Sequence, residues 1–497
     1  MNMVLGIILA PIIVLIEVGG AMLNALWDVA KYAYRSFWGH KEAPRHGDAA
    51  WADRKELKGN GNLEARGFYV GRMAKPDLPL FSHFERSSIV MAAPGTGKSQ
   101  TIIAGLHALK MLPPEQRPHI IVSDAANEIY RAATPLLVEM GYLVGKIDLE
   151  SPKEGGKYDV LSFVRTTDDT DMDGDIDALC ELLVPRDHKE RQPHFRDFAR
   201  QMLHDAILLN VKYEGNGKTI GQIAEEIIDD DLRDAMIKRM KIHGSTFAAI
   251  KTFQKLGTNE GPSMLSTSLN RLKIWRSERI KEVSTFGRDE EQNAQRGWKW
   301  EDVFMHGQPT VMFVRAGLAG GDTGGEFTRV VFGNAVNTIM RMWDRMNRPL
   351  PRPVRIIADE AKDMGHCGAI VKAHNVLRKA GVAVMLCFLS KKDLDTTYQD
   401  DADTLWNGCD HVVFGGCKDM ATNEAYSKMV GDRTIENQSY NVSSHGESKG
   451  ASEMGVRLIK PDQILRLKQD ECLLILGNLS IKAKKAFRIT KSGPKYL

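Results

Sequence analysis

The chain has no C-x-x-C pair; its six cysteines (Cys180, Cys367, Cys387, Cys409, Cys417, Cys472) are scattered over 497 residues. That scatter argues against a disulfide framework or a zinc site, and for a reducing compartment. Charge of one sign is lacking too. A net charge of +3 does not by itself announce nucleic acid. No fixed-period repeat is visible. Long apolar runs are absent except at the N-terminus, and the length allows two to four domains with a large core.

That single apolar run covers residues 3–16 and continues past Glu17 to Trp27. As a helix of about 25 residues it is roughly 37 Å long, enough to cross a bilayer with tilt. Lys31, Arg35, Lys41 and Arg45 follow, and Trp27, Tyr32, Tyr34, Phe37 and Trp38 fall where an interfacial belt belongs. No basic segment precedes the run and no A-x-A site follows it, which argues against a signal peptide. The expectation is one membrane anchor (1–28), with the N-terminus outside and the bulk of the chain cytoplasmic. A juxtamembrane linker (29–62) follows.

Ala92-Ala93-Pro94-Gly95-Thr96-Gly97-Lys98-Ser99 reads as a phosphate-binding P-loop. Ser88–Met91 before it reads as a strand, and Gln100–Leu106 after it as a helix. Such a turn aims backbone N–H groups at clustered phosphate charge. Pro94, Gly95, Thr96, Gly97, Lys98, Ser99 and Gln100 are therefore expected to bind a nucleoside triphosphate. Ala92 stands where the pattern has its first Gly, a mild change if φ stays negative. Ile356-Ile357-Ala358-Asp359-Glu360 supplies the complement. Asp359 with Ser99 would hold Mg²⁺, and Glu360 would polarise the attacking water.

Strands are expected at Phe68–Val70, Ile89–Met91, His119–Ser123, Val144–Ile147, Thr310–Val314, Val354–Ala358, Val382–Phe388, His411–Phe414 and Cys472–Leu476. Between 165 and 290 the periodicity is helical. The reading is an α/β nucleotide-binding domain (63–164 and 291–490) split by an all-helical domain (165–290), with a tail at 491–497. Residues 435–453 read as a mobile loop, too polar to pack.

In the order of its motifs the chain resembles the type IV coupling proteins of bacterial conjugation and type IV secretion, the TraG/TraD-like family. The likeness runs from Gly67-Phe68-Tyr69-Val70-Gly71-Arg72 through the P-loop to Asp124-Ala125-Ala126-Asn127-Glu128. It continues with Tyr158–Phe163, Leu182–Pro185, Pro193–Arg200, Asp359-Glu360-Ala361 and Ser427–Gly431. Leu458–Ile464 and Ile481–Lys485 close it. The resemblance implies a RecA-like fold and a membrane-anchored homo-hexameric ATPase. Such a motor recruits single-stranded DNA with its relaxase, or an effector protein, and delivers it to the type IV secretion channel. Three features depart from the pattern: one apolar span where members carry two, Ala126 where they carry Lys, and Leu389 where they carry a phosphate-sensing Gln. Leu389 keeps open a second reading, a nucleotide-binding receptor that docks cargo without pumping.

Arg378, in Leu377-Arg378-Lys379-Ala380-Gly381, matches an R-x-x-G of the family. It reads either as an arginine finger acting on a neighbour's phosphate or as an ordinary helix C-terminus ended by Gly381. Asp169–Asp177 superficially resembles a calcium loop, but Cys180 stands where the bidentate Glu belongs. A solvated acidic linker is the expectation there. Lys238, Arg239, Lys241, Lys251, Lys255, Arg271, Lys273, Arg276, Arg279 and Lys281 surround Trp275. They form either a DNA surface with a stacking residue or ordinary solvated helix faces.

Overall fold

The computed structural model describes residues 46–185, 193–243, 270, 272–284, 298–317, 322–443 and 446–486. The expected anchor at 1–28, Lys251, Lys255, Arg271 and the tail at 491–497 lie outside them. Among the described residues no helix is long and apolar enough to cross a membrane. Two compact units emerge: one of residues 51–430 and 459–486, the other of residues 46–50 and 431–458.

The larger unit is organised by one sheet. Its strands in chain order are β1 (Gly67–Ala74), β2 (Asp77–His83), β3 (Ser88–Met91), β4 (His119–Ser123), β5 (Leu143–Asp148) and β6 (Thr310–Arg315). β7 (Val354–Ala358), β8 (Val382–Phe388) and β9 (Asp410–Phe414) follow. After the two strands of the smaller unit, β10 (Asp432–Ser443) and β11 (Gly446–Arg457), come β12 (Glu471–Leu476) and β13 (Leu479–Lys485). The spatial order is β2-β1-β13-β12-β9-β3-β8-β7-β4-β6-β5. From β9 to β5 the neighbours are parallel; β12, β13, β1 and β2 extend the sheet antiparallel. All nine expected strands are present. The two strands of this sheet that were not expected, β2 and β13, carry Pro, His or Lys and lack a continuous apolar run.

Parallel strands covered on both faces need apolar residues at every position. β4, β7, β8 and β9 are buried throughout. The helix Lys98–Ala108 is buried from Thr101 to its end. Gly105 lets it lie against the Phe68 ring of β1, where any Cβ would collide. The short helix Arg54–Gly59 also joins this core. Asp53 caps it in a reciprocal pair with Glu56, and Leu57 is fully buried. Residues 51–62 are thus folded structure and not linker, because one leucine on a capped turn suffices to dock them.

Between β5 and β6 the chain forms the helices Asp169–Leu183, Pro193–Leu208, Ile220–Ile228, Asp230–Ile242 and Glu278–Ser284. The acidic run expected as a linker is the first of these helices. Asp168 accepts the Thr170 and Asp171 N–H groups as N-cap, and the following acidic residues favour the helix N-terminus. Trp275 is fully buried beside Phe327, so it offers no surface for a stacked base.

The smaller unit corrects the expected loop at 435–453. β10 and β11 pair in register from Asp432–Arg457 to Ser443–Gly446. Residues 46–49 line the foot of this ribbon: Asp48 bridges Arg433, and the Ala49 N–H donates to the Asp432 carbonyl (3.0 Å). A ribbon is held by backbone pairing, so a polar sequence does not prevent it.

Candidate functional site

The first half of the site grows out of β3. Ala92 continues the strand: its N–H donates to the Phe388 carbonyl (3.0 Å) and its side chain is fully buried. The residues in left-handed backbone are Gly95 (φ 73°) and Gly97 (φ 98°). The P-loop therefore keeps glycine where the backbone demands it, and Ala92 occupies a position where a Cβ is welcome. Gly97 opens the helix that carries Lys98 and Ser99.

The second half ends β7, two strands away across β8. Lys98 Nζ contacts Glu360 and stands 3.7 Å from Asp359 Oδ1. Ser99 Oγ lies 3.4 Å from Asp359 Oδ2. The Asp359 N–H is pinned by Ser123 Oγ at the end of β4 (3.0 Å). Burial pushes the Asp359 carboxyl up to about 6; Lys98 opposes this, while Glu360 and Asp124 add to it. Burial also works against the Lys98 charge, but Asp359 and Glu360 outweigh it and hold that pKa above the ordinary lysine value. Asp359 Oδ1 is buried without a hydrogen-bond partner. A buried carboxylate oxygen beside a serine hydroxyl suits a hard divalent cation, whose ligands are oxygens.

Asp124-Ala125-Ala126-Asn127-Glu128 borders the site from β4. The Asp124 carboxylate accepts the N–H groups of Glu128 (3.0 Å) and Tyr130 (2.7 Å). Asn127 takes the left-handed conformation (φ 59°) that asparagine tolerates. Gln100 Nε2 donates to Glu128 Oε1 (2.9 Å), tying the P-loop helix to this turn. At the end of β8, Leu389 is half-buried and Ser390 Oγ is engaged with Asp393 (3.0 Å).

Arg378 lies at the opposite edge. It is exposed on the short turn Leu377–Ala380, which Gly381 (φ 80°) ends before β8 begins. β8 is seven residues long, roughly 20 Å at about 3.3 Å per residue. The structure therefore does not join Arg378 to the P-loop of its own chain. Arg378 lines a cavity of about 960 Å³ with Arg66, Arg86, Glu115 and Pro353.

One cation at the P-loop entered the sequence reading only as the end of the closing motif Ile481–Lys485, with no role at the nucleotide site. Lys485 Nζ, from the end of β13, donates to the Thr96 carbonyl (2.8 Å). No spacing rule links residues so far apart in the chain, so the closing motif marked the lysine but not its place at the P-loop.

Of the seven described residues in the basic set around Trp275, three are ion-paired. Arg239 bonds Glu214 (2.7 Å) and Glu226 (2.8 Å), Lys281 bonds Glu225 (2.5 Å), and Arg279 bonds Glu150 (2.7 Å). Lys273, Arg276, Arg279 and Lys281 nevertheless line one cavity of about 560 Å³.

A search among curated proteins finds no match. The family model described as "Type IV secretory system Conjugative DNA transfer" matches residues 47–490. Among solved structures, the bacterial conjugative coupling protein TrwBdeltaN70, in its trigonal form with sulphate, superposes with a TM-score of 0.66. It shares 16% identity, over 92% of this chain and 99% of that one. The plasmid coupling protein TrwB in complex with the ATP analogue ADPNP gives 0.65 and 16%, covering 90% and 96%. TrwB in complex with ADP and Mg²⁺ gives 0.62 and 16%, covering 91% and 99%. At such identity these likenesses establish a shared fold.

Proposed function

This chain belongs to the type IV secretory system conjugative DNA transfer family, and from that premise we propose that it is an ATP-hydrolysing coupling protein. The observation that carries the reading is the convergence of Lys98, Ser99, Asp359 and Glu360 at the carboxyl ends of β3 and β7. In it the P-loop N–H groups and Lys98 bind the β- and γ-phosphates. Ser99 and Asp359 hold Mg²⁺, which when bound neutralises phosphate charge. Glu360 then exchanges its contact with Lys98 for a water and takes that water's proton as the water oxygen bonds the γ-phosphorus and the bond from that phosphorus to the β–γ bridging oxygen breaks, releasing ADP and phosphate. Arg378 serves a neighbouring subunit's phosphate in a homo-hexamer.

Residues 3–27 anchor the motor in the inner membrane. The helical segment at 165–290 contacts relaxase-bound single-stranded DNA, or an effector, on its way to the secretion channel. The test is the ATPase rate of the purified chain with and without single-stranded DNA. Turnover that DNA stimulates supports the motor. ATP binding with no turnover under either condition favours the second reading, a docking receptor, for which Leu389 at the end of β8 is the motivating residue.

A further inference from the structure

We propose that Lys485 is a positioning residue for nucleotide binding: its ammonium clamps the phosphate-binding loop from behind, through the Thr96 carbonyl. The inference rests on the P-loop reading above and adds a residue that no P-loop pattern contains.

Lys485 is only 3% exposed, and lysines are almost never buried so fully without a partner. Among the described residues no carboxylate lies within ion-pair distance of it. Its ammonium meets the Thr96 oxygen at 2.8 Å and the face of Phe414 at 4.2 Å from the ring centre. A buried ammonium is costly unless its hydrogen bonds are strong. Here the carbonyl it is given belongs to the one loop that must hold its shape.

The lysine is itself held firmly. Its own N–H donates to the Asp470 carbonyl (2.9 Å), and it sits opposite Gly71 of β1. The next residue also touches the site, since Thr101 Oγ1 of the P-loop helix reaches the Ala486 carbonyl (3.4 Å). Phe414 ends β9, so the ring under the ammonium comes from the strand beside β3. Within the loop, Thr96 Oγ1 donates to the Ala93 carbonyl (2.6 Å).

The clamp has an electronic consequence as well as a mechanical one. The Thr96 carbonyl and the Gly97 N–H are two ends of the same peptide group. A charged donor on the oxygen draws electron density from the nitrogen and strengthens that N–H as a donor. Gly97 stands immediately before Lys98, at the helix N-terminus where a phosphate is received. Lys485 thus acts on the anion through the peptide, without touching it.

The experiment titrates the purified full chain with a fluorescent ADP analogue and Mg²⁺, comparing wild type, Lys485→Met and Lys485→Arg. Methionine keeps the length of the side chain and removes only the charged donor. Lys485→Met is expected to raise Kd about tenfold, the size expected for loss of one charge-assisted hydrogen bond. The number of binding sites should stay unchanged, and Lys485→Arg should remain within about threefold of wild type. A merely structural lysine would behave differently: Lys485→Met would lose sites while those remaining bound with wild-type Kd, and that result overturns the proposal. Wild-type Kd at full stoichiometry overturns it too. Should Lys485→Met not fold, Lys485→Gln replaces it, and wild-type Kd in that variant is equally fatal. A wild-type chain that binds no ADP analogue overturns the P-loop reading, and this inference with it. Normal wild-type binding matched by Lys485→Met overturns this inference alone.

Discussion

Two aspartates, Asp410 buried and Asp359 half-buried, mark the two edges of the parallel sheet, and they are treated in opposite ways. Asp410 begins β9 at the amino edge. Its carboxylate accepts from Ser82 Oγ (2.7 Å), the Gly477 N–H (2.8 Å) and Arg86 (3.5 Å). Asp359 follows β7 at the carboxyl edge. It accepts only the long bond from Ser99, one of its oxygens has no hydrogen-bond partner, and burial lifts its pKa to about 6. A charge that serves the fold is saturated with donors. Asp359 is left short of them, and the fold carries the cost of ionising it.

The comparison is broken most severely at the carboxyl edge. Glu360→Gln should bind ATP with near wild-type affinity and lose turnover about a thousandfold. Lys98→Ala should instead lose affinity. Paired nucleotide titrations and ATPase rates check both, and undiminished turnover in Glu360→Gln removes it as the base.

Next in size is Arg378→Ala, expected to cost about a hundredfold or more in the assembled protein. Because β8 keeps Arg378 away from its own P-loop, mixing Arg378→Ala with Glu360→Gln subunits should restore part of the turnover at hybrid interfaces. An Arg378→Ala protein with full ATPase activity would leave the arginine as an ordinary helix end.

The smallest effects discriminate best between the two aspartates. Asp410→Asn takes charge from a fully bonded carboxylate and should destabilise the chain by about 2–3 kcal/mol. Asp359→Asn should do the reverse at neutral pH. The folded state raises the Asp359 pKa from 3.8 to about 6. Ionisation therefore costs stability as pH climbs through that window, and the cost is complete above about 6. Removing the charge should stabilise the chain by about 1–2 kcal/mol at pH 7.5, with the gain shrinking below pH 6 and gone below about 4. Denaturant melts of wild type and both variants at pH 7.5 and 4.5 read this out. A gain that does not depend on pH would show that Asp359 is not strained by its burial.

Much of this was legible in the chain because the signals are local. The P-loop announces itself in eight consecutive residues, and continuous apolar runs mark each buried parallel strand. The ribbon β10–β11 was hidden because its sequence is polar and its order comes from backbone pairing. The helix Arg54–Gly59 was hidden because a single buried leucine, Leu57, docks it. Trp275 misled for the converse reason. Its basic neighbours in sequence suggested a surface, while its ring packs inward against Phe327.

The sequence by itself determined the groups on offer: a glycine-rich turn of P-loop pattern, Ser99, Asp359 and Glu360, and the α/β class that presents them. Only the tertiary structure decided which groups meet. It brings Lys98 to Glu360, aims Lys485 at the Thr96 carbonyl, and sets Arg378 a strand's length from the site in its own chain. The physical reason is that periodicity and turn chemistry act over a few residues. The contacts that tune a pKa or fix a loop depend on strand order and register, which the whole sheet settles at once.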